Sequence, residues 1–168
     1  MTYYTHVAGG IIAGTIVIKS GIPNIDSAIV MGSAVVGSLL PDIDHTRSKI
    51  SKTSTVTSAF SHLIGLFTKH RGIIHTPVFI AAVWILMSIA KPFIPAEIQP
   101  YFSLIIMGLI PGMLSHIALD TLNPGGIMWI FPVNQKYYHI ANVKTGSIFE
   151  TLVAVIMIFF IAVMYKII

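Results

Sequence analysis

No cysteine occurs in the 168 residues. That excludes disulfides, thiolate zinc sites, iron–sulfur clusters and cysteine nucleophiles together, so any metal must be held by His, Asp, Glu or backbone. Charge is equally scarce: 10% of residues are charged, 55% are hydrophobic and the mean hydropathy is +0.85. Soluble domains carry about 25% charged residues, so this chain cannot cover a water-facing surface, and its apolar content excludes disorder. At about 20 residues per span the chain holds at most about five membrane crossings, with no room for a separate soluble domain. The expectation is a single all-α domain over residues 1–168, a polytopic membrane bundle of about five helices. The opening MTYYTHVAGG carries neither a basic leader nor a cleavage pattern, so the first apolar segment is expected to be retained.

Five apolar stretches are present, at residues 7–18, 28–40, 77–94, 101–119 and 151–165. The last three read as transmembrane helices. The first two are short enough to form a re-entrant hairpin instead of full spans. A turn through Gly21 and Pro23 joins them, with Asp26 placed to cap the second helix. Small residues four apart, such as Gly10 and Gly14 or Ala28 and Gly32, permit the close backbone approach by which helices associate in lipid. Pro111-Gly112 is expected to bend the fourth stretch.

Tracing the chain through such a bundle sorts its titratable groups by side. All seven histidines fall on the N-terminal side or at a helix end facing it, with Asp42, Asp44, Asp120 and Glu150. Arg47, Lys49, Lys52, Lys69, Arg71, Lys136 and Lys144 lie there too, against Lys19, Lys91 and Lys166 opposite, which favours a cytoplasmic location for the histidine-bearing face. The net charge of +4 is therefore read as topogenic, and no nucleic-acid partner is expected.

Three clusters carry chemistry. Pro41-Asp42-Ile43-Asp44-His45 places two carboxylates and an imidazole directly after an apolar helix. That arrangement is costly unless it neutralises a cation, and the alternative is a solvated helix end. In His70-Arg71-Gly72-Ile73-Ile74-His75-Thr76-Pro77, Thr76 and Pro77 form a helix start that puts His75 at its positive end. Arg71 there suits an anionic group, the alternative being lipid headgroups. His116 and Asp120, four apart, share one helix face, either as ligands of one ion or as a hydrogen-bonded pair. His6 joins them from the first stretch, and Asn123 either binds a ligand or closes its own turn. His62 and His139 are weaker candidates. The donors His6, Asp42, Asp44, His45, His75, His116 and Asp120 suit one or two divalent ions of zinc, manganese or iron(II).

An early His followed in order by PDIDH, HRGIIHT, HIALDTLNPGG and Phe131-Pro132 resembles the YdjM-like family of prokaryotic inner-membrane-bound, metal-dependent hydrolases. The resemblance runs from Tyr4 to about Pro132. It implies a metal hydrolase on a helical membrane scaffold, with matching positions at His6, Asp42, Asp44, His45, His70, Arg71, His75, His116 and Asp120. The all-helical zinc phospholipase C group is a more distant likeness. The expected activity is hydrolysis of a phosphoester of a membrane lipid or lipid-linked substrate. Asp44 would act as base or bridging ligand, and Arg71, His70 and Asn123 would bind substrate. A divalent-cation transporter or sensor, or a structural membrane protein without turnover, would use the same ligands differently.

Overall fold

The structure, a computed structural model, describes residues 1–44 and 72–166, with the side chains of residues 24, 25, 43 and 44 outside that description. His45, His62, His70 and Arg71, and the Asp44 side chain, thus lie beyond it. Among the described residues there are five α-helices and no strand: α1 (Tyr3–Lys19), α2 (Asn24–Gly37), α3 (Pro77–Ala90), α4 (Gln99–Asp120) and α5 (Ile148–Met164). One antiparallel bridge pairs Ile127 with Tyr138 in the connection between α4 and α5.

The helices start and stop where local chemistry requires. Thr76 caps α3 by accepting from the Phe79 N–H at 3.2 Å, a contact worth about 1 kcal/mol. Pro77 takes the first helical position, where its missing N–H has no bond to lose. Ser147 caps α5 in the same way through the Glu150 N–H. The start of α2 departs from expectation: Pro23 occupies the cap position and Asp26 lies inside the first turn, where it complements the helix dipole without a side-chain cap bond. Pro111 sits within α4 and the helix continues through it.

Of the described helices, α4 alone is both long and apolar enough to cross a membrane. Its 22 residues extend about 33 Å, against about 30 Å for a hydrocarbon core. The other two expected spans are shorter: α3 has 14 residues and α5 has 17. α4 is the central element, packed by α2, α1 and α3, while α5 leans on α1.

Glycine makes that packing possible. A Cβ on Gly112 would collide with the Ala34 carbonyl, one on Gly108 with the Val30 carbonyl, and one on Gly37 with the Leu109 carbonyl. α2 and α4 therefore cross backbone to backbone. Gly10 on α1 does the same against Ala34 O and Ser38 Oγ. Beside this crossing, Ile80, Met113, Ile117 and Ile127 form the apolar core. Its position holds the later turns of α4 against the start of α3 and, through Leu40, against the turn after α2.

Candidate metal centre

Four elements deliver polar side chains to one buried point. α1 brings His6 from its first turn, the 3-10 turn Leu40–Asp44 brings Asp42, the 3-10 turn Ile73–His75 brings His75, and the last turns of α4 bring His116 and Asp120. His6, His75 and His116 are fully buried and Asp120 is 1% exposed, so these groups have given up water.

The separations within the cluster are distinctive. His6 Nε2 lies 3.5 Å from Asp120 Oδ1; His116 Nε2 lies 3.8 Å from Asp120 Oδ2 and 3.8 Å from Asp42 Oδ1; His75 Nε2 lies 3.8 Å from the same Asp42 oxygen. These distances exceed the 2.7–3.2 Å of a hydrogen bond. Ligands about 2.0–2.2 Å from a tetrahedral ion stand about 3.3–3.6 Å from one another, which is the scale seen here. His6 and His116 stack with centroids 3.8 Å apart and planes 12° from parallel, so both present Nε2 to the Asp120 carboxylate, and His75 meets His116 edge-on at 5.1 Å.

His116 is oriented from behind. Its Nδ1 lies 2.7 Å from the Ser38 carbonyl. A carbonyl only accepts, so Nδ1 carries the proton and Nε2 keeps its lone pair for the cluster. That nitrogen and both ring nitrogens of His6 are buried without a hydrogen bond. Each such group costs about 1–3 kcal/mol, a cost that a cation at the centre removes. The donors His6, Asp42 and His116 lie within 4.8 Å of one another, and so do His75, His116 and Asp120. Three imidazoles and two carboxylates therefore fit a divalent ion of zinc, manganese or iron(II) character.

Burial on its own raises the Asp42 carboxyl, but the facing His75 and the neighbouring His116 and His6 outweigh it and hold Asp42 well below the usual carboxylate range. Asp42 is thus poised as an anion.

The sequence-expected residues divide as follows. His6, Asp42, His75, His116 and Asp120 converge. His45, His62, His70 and Arg71 and the Asp44 side chain fall outside the described residues. Asn123 is engaged in its own turn, accepting from Gly125 N–H at 3.1 Å and donating to Thr145 Oγ1 at 2.9 Å. His139 is exposed, with Nδ1 3.2 Å from the Ala141 carbonyl.

Three contributors were not anticipated. The Met1 amino group lies 2.6 Å from Asp120 Oδ1, and nothing in residue type or spacing signals it. The Ser38 carbonyl is equally silent in sequence. Glu150 is buried and braces the first turn of α1; the Ser147-Ile-Phe-Glu150 spacing of a capping box was its available signal.

An open apolar groove of about 370 Å³ runs between α1, α4 and α5, lined by Gly9, Ile12 and Ile16, by Ala118 and Leu122, and by Met157, and none of the five cluster residues lines it.

The family model described as YdjM inner membrane protein matches residues 1–168. The uncharacterized protein YvsG of Bacillus subtilis (strain 168) is 33% identical over 153 residues, covering 91% of this chain and 87% of that protein. The inner membrane protein YdjM of Escherichia coli (strain K12) and that of Shigella flexneri are each 29% identical over 112 residues, 64% of this chain. The matched region spans about half the length of those two relatives, 52%. No solved structure matches the chain. The chain belongs to the YdjM inner membrane protein family, a family of membrane proteins.

Proposed function

We propose that this chain is a multi-pass membrane metallohydrolase that cleaves a phosphoester of a lipid or lipid-linked substrate. One observation carries the reading: four buried donors and the part-exposed Asp42, from four separate elements, make neighbouring contacts of 3.5–3.8 Å, with ring nitrogens of His6 and His116 left without a hydrogen bond. Asp120 also accepts from the Met1 amino group at 2.6 Å, but the contacts between imidazoles and carboxylates keep the spacing of a coordination shell and do not close into hydrogen bonds.

His6, Asp42, His75, His116 and Asp120 hold the ion. Both donor groups run through His116, whose Nε2 has a single lone pair, so these five residues bind one ion. A divalent ion there supplies Lewis acidity and makes water nucleophilic near neutral pH. The rest falls to the protein. Asp42, about one-fifth exposed where the histidines are fully buried, marks the side from which water and substrate enter. Asp44, two residues on, takes the proton of the attacking water. Arg71 and His70, just before the turn that carries the buried His75, bind the anionic phosphoryl group and stabilise charge as it develops.

The membrane-lipid part of the reading is supported by the open apolar groove between α1, α4 and α5, whose lining suits an acyl chain. The excess of Lys and Arg on the histidine-bearing side supports a cytoplasmic active-site face.

Metal analysis of the purified protein in detergent tests the proposal. About one equivalent of zinc, manganese or iron is expected in the wild type, with little in Asp42→Ala and His116→Ala. Unchanged metal in both variants defeats the ligand assignment. A panel of phosphomonoester, phosphodiester and carboxylic ester substrates then tests the reaction, with Asp44→Asn expected to keep its metal and lose turnover.

A further inference from the structure

Glu150 lies on the first turn of α5, outside the ligand cluster, and is 2% exposed. Its carboxylate is fully committed. Oε1 accepts from the Thr2 N–H at 2.5 Å and the Thr5 hydroxyl at 2.9 Å, and Oε2 accepts from the Gly146 N–H at 2.6 Å. The first two donors belong to the turn that opens α1, immediately before His6. The third belongs to the end of the connection that returns from α4.

That connection is itself stitched to the residues following Asp120. Ile140 N–H donates to Thr121 O at 3.0 Å and Val143 N–H to Leu122 O at 2.9 Å. Asn123 Nδ2 donates to Thr145 Oγ1 at 2.9 Å, next to Gly146, and Asn123 N–H donates to Asp120 O at 3.1 Å. A polar path therefore runs from Asp120 through Asn123, Thr145 and Gly146 to Glu150, and from Glu150 through Thr5 to His6. It closes around the edge at which His6 Nε2 faces Asp120 Oδ1 across 3.5 Å.

The apolar packing nearest this edge sets Gly9 of α1 against the Leu119 side chain, a flexible contact that can shift, and not against backbone. The glycine crossings join α2 to α4 and α1 to α2, deeper along the helices than His6 and Asp120. A coordination shell tolerates only a few tenths of an ångström, so the first turn of α1 needs its own register device. We propose that Glu150 is a positioning residue for the ion site, a clamp that sets the separation of His6 and Asp120 and thereby the affinity for the divalent ion. The inference rests on the metal-site reading above.

The test is a Zn²⁺ titration of the full chain in detergent against a chromophoric chelator, well below the melting temperature. Residues that orient ligands from outside the shell are worth about 10–100-fold in affinity; Glu150 acts through backbone, so about tenfold weakening is expected for Glu150→Ala. Glu150→Gln should fall between, since its amide oxygen still accepts from the α1 turn but its NH₂ cannot accept from Gly146. Thr5→Val, which removes one donor, should weaken binding several-fold. Glu97→Gln, at an exposed carboxylate, should bind as the wild type does.

Melting of the metal-free variants separates this role from mere bracing. Lower melting temperatures with unchanged zinc affinity in Glu150→Gln and Thr5→Val would overturn the clamp, and those two mild variants decide the matter if Glu150→Ala does not fold. A wild type that binds zinc while every Glu150 variant binds equally well also overturns it and leaves the metal site standing. A wild type that binds no divalent metal overturns both.

Discussion

Consecutive turns of α4 meet opposite demands. Around Gly108 and Gly112 the helix has no side chain facing α2 and the two backbones touch. One turn later, at His116 and Asp120, it carries the largest polar groups on its length into a space as thoroughly buried. The first region is held by fit, and everything in it has a partner. The second keeps buried imidazole nitrogens without hydrogen bonds. Association in lipid gains little from burying apolar surface, so close packing must supply it. The glycine crossing therefore provides the rigidity that lets the neighbouring turn carry buried polar groups without hydrogen bonds, as the proposed ion site requires. Stability and function are separated by about one helical turn.

The strongest way to break that contrast is to fill the crossing. In Gly112→Val the new side chain meets the Ala34 backbone, which cannot step aside as a flexible side chain would. Overpacking a core costs about 1–3 kcal/mol where side chains can shift, and more is expected here, enough to abolish a monodisperse folded species in detergent. Size-exclusion profiles and thermal melting provide the check. A variant that melts with the wild type would refute the claim that this crossing organises the bundle.

A smaller effect is expected at the polar turn. An ion that binds only the folded state stabilises it by about 2.7 kcal/mol at a concentration one hundred times its dissociation constant. Saturating zinc or manganese should raise the melting temperature and a chelator should reverse the rise. His116→Ala should melt at one temperature with or without metal. If instead the wild type is indifferent to metal while folded and active, the cluster is a structural feature and the two turns of α4 differ only in polarity.

The sequence was informative where chemistry repeats over a few residues and silent where it depends on distant ones. The five helices were legible from apolar runs bounded by turn residues, and the α3 start from Thr76-Pro77 alone. His116 and Asp120 were legible as a pair because a helix fixes what lies four residues away. That His6, Asp42 and His75 would meet them followed only from counting sides of a membrane, a coarse argument that leaves distances open. The α3 run was read on to residue 94, past the helix end at Ala90, because apolar residues in the connection look like helix in a hydropathy pattern, whereas the α5 run was read from residue 151 and the helix already begins at Ile148. Glu150 was passed over as one more carboxylate on the polar side. Its importance comes chiefly from Thr2 and Thr5, 148 and 145 positions away, and no local pattern joins residues so far apart.

Gly32 sharpens the comparison from the opposite direction. By spacing it belongs with the small residues of α2 that mark a packing face, paired with Ala28 four positions earlier. Yet a Cβ built there meets nothing within 4 Å, while one on Gly37, five residues along the same helix, strikes the backbone of α4. Spacing identifies a stripe of small residues but not which of them faces a neighbour, because a small residue on an open helix face gives the same pattern. Without a packing role, Gly32 keeps only its liability, the extra backbone entropy lost when glycine enters a helix. Gly32→Ala should therefore stabilise the protein, by up to about 1 kcal/mol, visible as a modest rise in melting temperature with zinc affinity unchanged. Loss of stability approaching that of Gly112→Val would mean that the outer face of α2 is also a contact surface, and the helix would then be gripped on two sides instead of one.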